Sequence, residues 1–105
     1  MVTLDFTALG PVRNRLEEAD QKIERQASTL RDAIAAACDH LGMEIVPFPG
    51  DRYFAAWYRE KPAPKPLHPV LDIHVIREHV ELCPRHDLDF PLLDGDVVLF
   101  AILIC

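Results

Sequence analysis

An apolar stripe at helical spacing runs through the first 41 residues and constrains this chain more than any other feature. Val12, Leu16, Ala19, Ile23, Ala27, Leu30, Ile34, Ala37 and Leu41 recur every three or four residues. That is the interval at which side chains stack on one face of an α-helix. Gly10-Pro11 supplies a start, since Pro at the first helical position gives up an N–H that has no partner there. Gly42 supplies a stop, because glycine takes the left-handed cap at little cost. The pattern predicts one helix over 11–42. At 1.5 Å per residue, 11–41 spans roughly 46 Å, against a diameter of roughly 33 Å for a compact globule of this length. The helix is expected to overhang its own domain.

Its two halves differ. Over 16–27 the stripe is narrow, flanked by Glu17, Glu18, Asp20, Lys22, Glu24 and Arg25, which suits pairing with another helix. Over 30–41 it widens through Ala33, Ala36 and Cys38 and suits packing on a sheet. Leu16, Ala19, Ile23 and Ala27 are therefore the expected interface. The alternative is a single helix covering its own domain, kinked around 26–29.

The rest of the chain reads as strands and turns. Val2, Leu4 and Phe6 alternate with polar residues, as in a short strand or extended arm over 1–10. Residues 44–48 and 52–58 flank Pro49-Gly50, a hairpin signal, with a short helix as the competing reading of 53–58. Pro47 cannot donate a ladder hydrogen bond and assigns its strand to an edge. A Pro-rich connector occupies 61–69 and contains a PxxP pattern at 66–69. Residues 71–75 alternate as a half-buried strand, and 76–83 fit either a helix or a second strand. Asp94-Gly95 signals a turn. The 97–104 run, apolar on both faces, reads as a central strand covered on both sides.

The expected fold is α+β: one long N-terminal helix packed on a four- to five-stranded antiparallel or mixed sheet, in a single domain over 1–105. With 50% hydrophobic residues the chain can build a core without metal or disulfides. Cys38, Cys83 and Cys105 include no CxxC pair and suggest no disulfide framework. No secretory signal or prenylation motif is seen, and the 97–105 run is too short for a membrane helix. The expected setting is the cytoplasm, or a particle assembled inside the cell.

Chemistry is thinly represented. His74, His79, Cys83 and His86 are metal-ligand types, but lack the paired short spacings of zinc motifs. Cys83 with His79 or His86, or Cys38 with His40, would supply the residue types of a thiol nucleophile. Asp87, Asp89, Asp94 and Asp96 crowd the last turn and could hold a divalent cation or simply serve turn chemistry. Glycine-rich phosphate loops and hydrolase motifs are missing. A net charge of −6 argues against general nucleic-acid affinity. Tyr53, Phe54, Trp57 and Tyr58 lie among Arg52, Arg59, Lys61 and Lys65; such a patch could stack bases, but the aromatics better suit a protein interface, with Tyr53 and Trp57 as candidates.

These residues point to a non-enzymatic protein–protein interaction or assembly protein, a homo-oligomer or part of a larger complex, without cofactor, nucleic acid or membrane. The first alternative is a small metal-binding domain or metal-dependent enzyme built on the His/Cys cluster. The second is an acidic inhibitor of a nucleic-acid-binding protein.

Overall fold

The N-terminal stripe does not form one helix. In the computed structural model, which describes residues 1–61 and 70–103, Pro11 opens only a 3₁₀ turn over Gly10–Arg15, and Leu16 is already extended. A second 3₁₀ turn follows at Glu18–Asp20. The chain then pairs as a strand. The single α-helix, α1, is Leu30–Leu41, 12 residues, or about 18 Å. The expected Pro-rich connector, beyond Lys61, lies outside the described residues.

Local chemistry explains where the helix starts. The Thr29 hydroxyl accepts the Asp32 N–H at 3.3 Å, and the Asp32 carboxylate accepts the Ser28 N–H at 3.2 Å. This reciprocal arrangement satisfies two donors at the helix entrance, as in a capping box. At the other end Gly42 takes the left-handed conformation (φ 67°), and its N–H donates to the Cys38 carbonyl. Upstream of Thr29 the stripe is too narrow to reward helix formation, because helical stability comes mainly from burying a face. Lys22–Arg25 gains ladder hydrogen bonds instead and sets Ile23 opposite the buried Leu4.

The strands are β1 (Val2–Ala8), β2 (Lys22–Arg25), β3 (Met43–Pro47), β4 (Phe54–Tyr58), β5 (Val70–Arg77), β6 (Val80–Leu82) and β7 (Val97–Leu103). They form one curled, seven-stranded mixed sheet in the order β2-β1-β7-β5-β4-β3, with β6 added beside β5. The expected long helix on four or five strands is thereby corrected to a half-barrel with one short helix. Every pairing is antiparallel except β1 with β7. β7 has neighbours on both edges and β3 stands at the end of the sheet, where Pro47 costs little.

One face of the sheet carries the core. Leu4 and Phe6 of β1, Phe54 of β4, Ile73 and Val75 of β5, and Val98 and Phe100 of β7 are almost fully buried against Leu30, Ala33 and Ala37 of α1. Leu88, Phe90 and Leu92 close the same side. Leu16, Ile23 and Ala27 also pack against this core from non-helical backbone, whereas Ala19 is exposed. These residues are core flank rather than the seam of an overhanging helix.

β5 and β6 are joined by the two residues Glu78 and His79, both at positive φ (51° and 67°). A two-residue loop with both central residues left-handed is the type I′ geometry that favours Asn-Gly. L-residues with a Cβ pay for that conformation, at roughly 1–2 kcal/mol each. Replacing the pair with Asn-Gly (Glu78→Asn with His79→Gly) should raise stability by about 1 kcal/mol, after the entropy cost of the added glycine. Urea unfolding checks this; an unchanged midpoint would mean the turn is not strained.

Candidate functional site

Alternation along β5 divides its side chains. Leu71, Ile73 and Val75 enter the core, while Asp72, His74 and Ile76 face the other way. The register carries this second face across the sheet. Asp72 is opposite Ala101, His74 opposite Leu99, and Ile76 opposite Val97, with Thr3 and Asp5 beyond on β1. Ala55, opposite Val70, belongs to the same face and is buried there, apart from the main core cluster. Val97, Leu99, Ala101 and Ile76 stay partly exposed, so an apolar field surrounds a polar centre.

That centre is built by the β5–β6 hairpin. Its register pairs Val75 with Leu82 and Ile76 with Glu81, and the next step brings Cys83 beside His74. The Cys83 Sγ is 3.1 Å from His74 Nδ1. His74 Nε2 lies 2.7 Å from an Asp72 carboxylate oxygen. Glu81 also reaches Nδ1, at 2.9 Å. His74 and Asp72 are 13% and 15% exposed, so their mutual geometry is sheltered, whereas Glu81 and Cys83 are open to solvent. Arg52 stands behind Asp72 at 3.9 Å. With Nε2–H donating to Asp72, Nδ1 of the neutral ring is an acceptor turned toward the thiol. The protonated ring donates from Nδ1 to Glu81 or to a thiolate.

The metal-ligand candidates therefore separate. His74 and Cys83 meet, but His79 sits in the turn. His86 donates from Nε2 to the Tyr53 carbonyl at 2.6 Å and meets the Phe54 ring edge-on. Among the described residues, no group of three or more His, Cys, Asp or Glu side chains has the geometry to hold a metal ion. The acidic residues of the last turn disperse in the same way. Asp89 pairs with Arg31, Asp94 with the Met1 amino group, and Asp96 with Arg77. Of the aromatic candidates, Tyr53 lies against Arg52 and Trp57 borders the outer face opposite Glu44; both are partly exposed.

The second thiol, Cys38, differs in kind. It is 6% exposed on α1, and burial pushes its thiol up from the ordinary range despite a compensating contact with the Ile45 backbone. It borders a groove of about 380 Å³ between α1 and β3, lined also by Ile34, Ile45, Pro47 and Phe54. Neither this groove nor the hollow of about 450 Å³ around Arg15, His40, Tyr58 and Glu60 touches the Asp72–His74–Cys83 centre.

Strand alternation over 71–75 already puts Asp72 and His74 on one face, whereas Glu81 and Arg52 are the members of the centre that the sequence reading did not bring to them. A two-residue turn at Glu78-His79 would have placed Cys83 beside His74, but that pair lacks the Asn-Gly signature of such turns. No helix among the described residues is long and apolar enough to cross a membrane. Comparison with protein-family models, curated proteins and solved structures returned no significant match.

Proposed function

We propose that this chain is a non-enzymatic assembly protein that associates with a second copy of itself through the outer face of its sheet. The observation that carries this reading is the one-sided packing: α1 and the Leu88–Phe90–Leu92 loop join a single core, while Val97, Leu99, Ala101 and Ile76 remain partly exposed on the opposite face. Apolar groups gathered on one face gain from removal from water. The charges of that face are already matched within the chain. Asp72 is held by His74 and Arg52, and Asp5 by Thr7 and Lys22. A two-fold contact confronts each patch with itself, and internal matching spares it like-charge repulsion. Among the described residues, Cys38 and Cys83 are free thiols, which suits a reducing compartment such as the cytoplasm.

The metal-binding alternative is disfavoured because, among the described residues, His74, Cys83 and the neighbouring carboxylates do not form a group with the geometry to hold a metal ion. The acidic-inhibitor alternative is disfavoured by the pairing of Asp39 and Glu44 with Arg59, and of Asp96 with Arg77. These acids are spent on internal partners.

Light scattering on a sizing column, across a dilution series, tests the proposal. The natural chain should have at least twice the monomer mass at high concentration, and Leu99→Arg should be monomeric with an unchanged circular dichroism spectrum. A natural chain that is monomeric throughout would overturn self-association.

A further inference from the structure

We propose that Cys83 is a nucleophilic thiol, served by His74 as base, that takes up a small disulfide as a mixed disulfide. The inference does not rest on self-association, since every group it uses belongs to one copy of the chain.

Three observations combine. The sulfur is accessible, as an attacking thiol must be. Its cross-strand neighbour His74 offers Nδ1 at 3.1 Å, within reach for proton transfer. Asp72, at 2.7 Å, engages the opposite ring nitrogen, fixing both the orientation of the ring and the tautomer that leaves Nδ1 free to accept. This is the order of nucleophile, base and orienting carboxylate that activated nucleophiles share. Arg52, 3.9 Å from Asp72, supports this arrangement by holding the orienting carboxylate. Glu81 opposes it, because its carboxylate competes for Nδ1 at 2.9 Å. Cys83 Sγ and a Glu81 carboxylate oxygen thus approach the same ring nitrogen, with Asp72 and Arg52 on the other side of the ring, and the residue facing His74 on β7 is Leu99.

The reaction balances without a further reagent. The Cys83 proton passes to His74 Nδ1, and the thiolate attacks one sulfur of the disulfide. A new S–S bond forms as the old one breaks, and its electron pair leaves with the departing thiolate. That thiolate takes the proton from His74. Cys83 is oxidised and the departing half is reduced. Among the described residues, neither the groove beside Cys38 nor the hollow beside His40 borders the centre; exchange with a small disulfide needs no cleft.

The test uses the full chain carrying Cys105→Ser, so that Cys38 and Cys83 are the remaining thiols. It is run at the dilute end of the concentration series. The probe is an aromatic disulfide that releases a coloured thiolate, with the modified residue located by peptide mass. Cys83 should react first at pH 7, about tenfold or more faster than the same cysteine in the urea-unfolded chain, and Cys38 slowly. His74→Gln should remove most of that advantage and restore the steep pH dependence of a free thiol. Asp72→Asn should remove part of it. A native Cys83 that reacts no faster than in the unfolded chain would overturn the proposal, as would a folded His74→Gln chain with an unchanged rate. If His74→Gln fails to fold, the native-against-unfolded comparison decides alone. A monomeric chain with a fast Cys83 would refute self-association and leave this inference standing.

Discussion

Asp96→Ala should destabilise the fold by on the order of 3 kcal/mol, the scale of losing several charge-assisted hydrogen bonds at a buried carboxylate. Asp96 is the polar residue buried most deeply among the described ones, at 1% exposure. Its carboxylate accepts from Arg77 Nε and a terminal guanidinium nitrogen, at 3.0 and 2.7 Å, and from the Leu93 N–H at 2.8 Å. The same guanidinium reaches the Pro91 carbonyl at 3.1 Å. One carboxylate thus ties the end of β5 to the turn that feeds β7. Removing it orphans the Leu93 N–H and frees Arg77 to solvent. Urea unfolding monitored by circular dichroism measures the loss; a change below about 1 kcal/mol would mean that water replaces the carboxylate at little cost.

The pair also sets an acid limit. Hydrogen bonding from Arg77 holds the Asp96 carboxyl below the usual carboxylate range, outweighing the opposite push of burial. A carboxyl depressed on folding contributes stability that is complete above the unfolded value, near about 4. That contribution is lost as pH falls through the lower folded value. Arg77→Met removes the cation and leaves burial in control, so the folded carboxyl should rise above the unfolded one. The local contribution then changes sign, present in acid and lost as pH increases. Thermal unfolding from pH 3 to pH 7 should show a Tm that rises with pH in the natural chain, with a smaller or reversed slope in Arg77→Met. Equal slopes would assign the acid limit to other carboxylates.

How much of this was legible in the sequence depended on which signal was local. β1 and β5 were readable because their alternation matches a sheet with one buried face. The β3–β4 hairpin was readable from Pro49-Gly50, and the end of α1 from Gly42. The long helix was misread because spacing alone ignored how much each turn could bury. Between Leu16 and Ala27 the stripe offers one moderate residue per turn, and strand pairing with β1 competes successfully. The decisive start signal, Thr29 with Asp32 three residues on, lay inside the presumed helix. The Asp72–His74–Cys83 centre was hidden for a different reason. It depends on the register of a hairpin whose turn residues, Glu78 and His79, are poor formers of the geometry they adopt. Neighbourhood across a sheet follows from that register and not from motif spacing.

Phe100→Ala and Leu99→Arg, at adjacent positions on β7, should behave oppositely. Phe100 is fully buried and its ring lies 5.3 Å from that of Phe6. Truncation removes a large apolar group and leaves a cavity in the centre of the sheet, at a cost of about 3–5 kcal/mol. Against a typical stability of about 5–15 kcal/mol, that should lower the urea midpoint sharply or leave the chain unfolded. Leu99 points to the other face, opposite His74 and partly exposed. An arginine there can extend its charged end into water along the face, so a dilute sample should unfold within about 1 kcal/mol of the natural chain. Under the proposed self-association, Leu99→Arg should remove a dependence of unfolding on protein concentration, because stability drawn from association follows mass action. Comparable losses from both substitutions in dilute solution would mean that the outer face is packed within each copy, and the proposed interface would fall with that result.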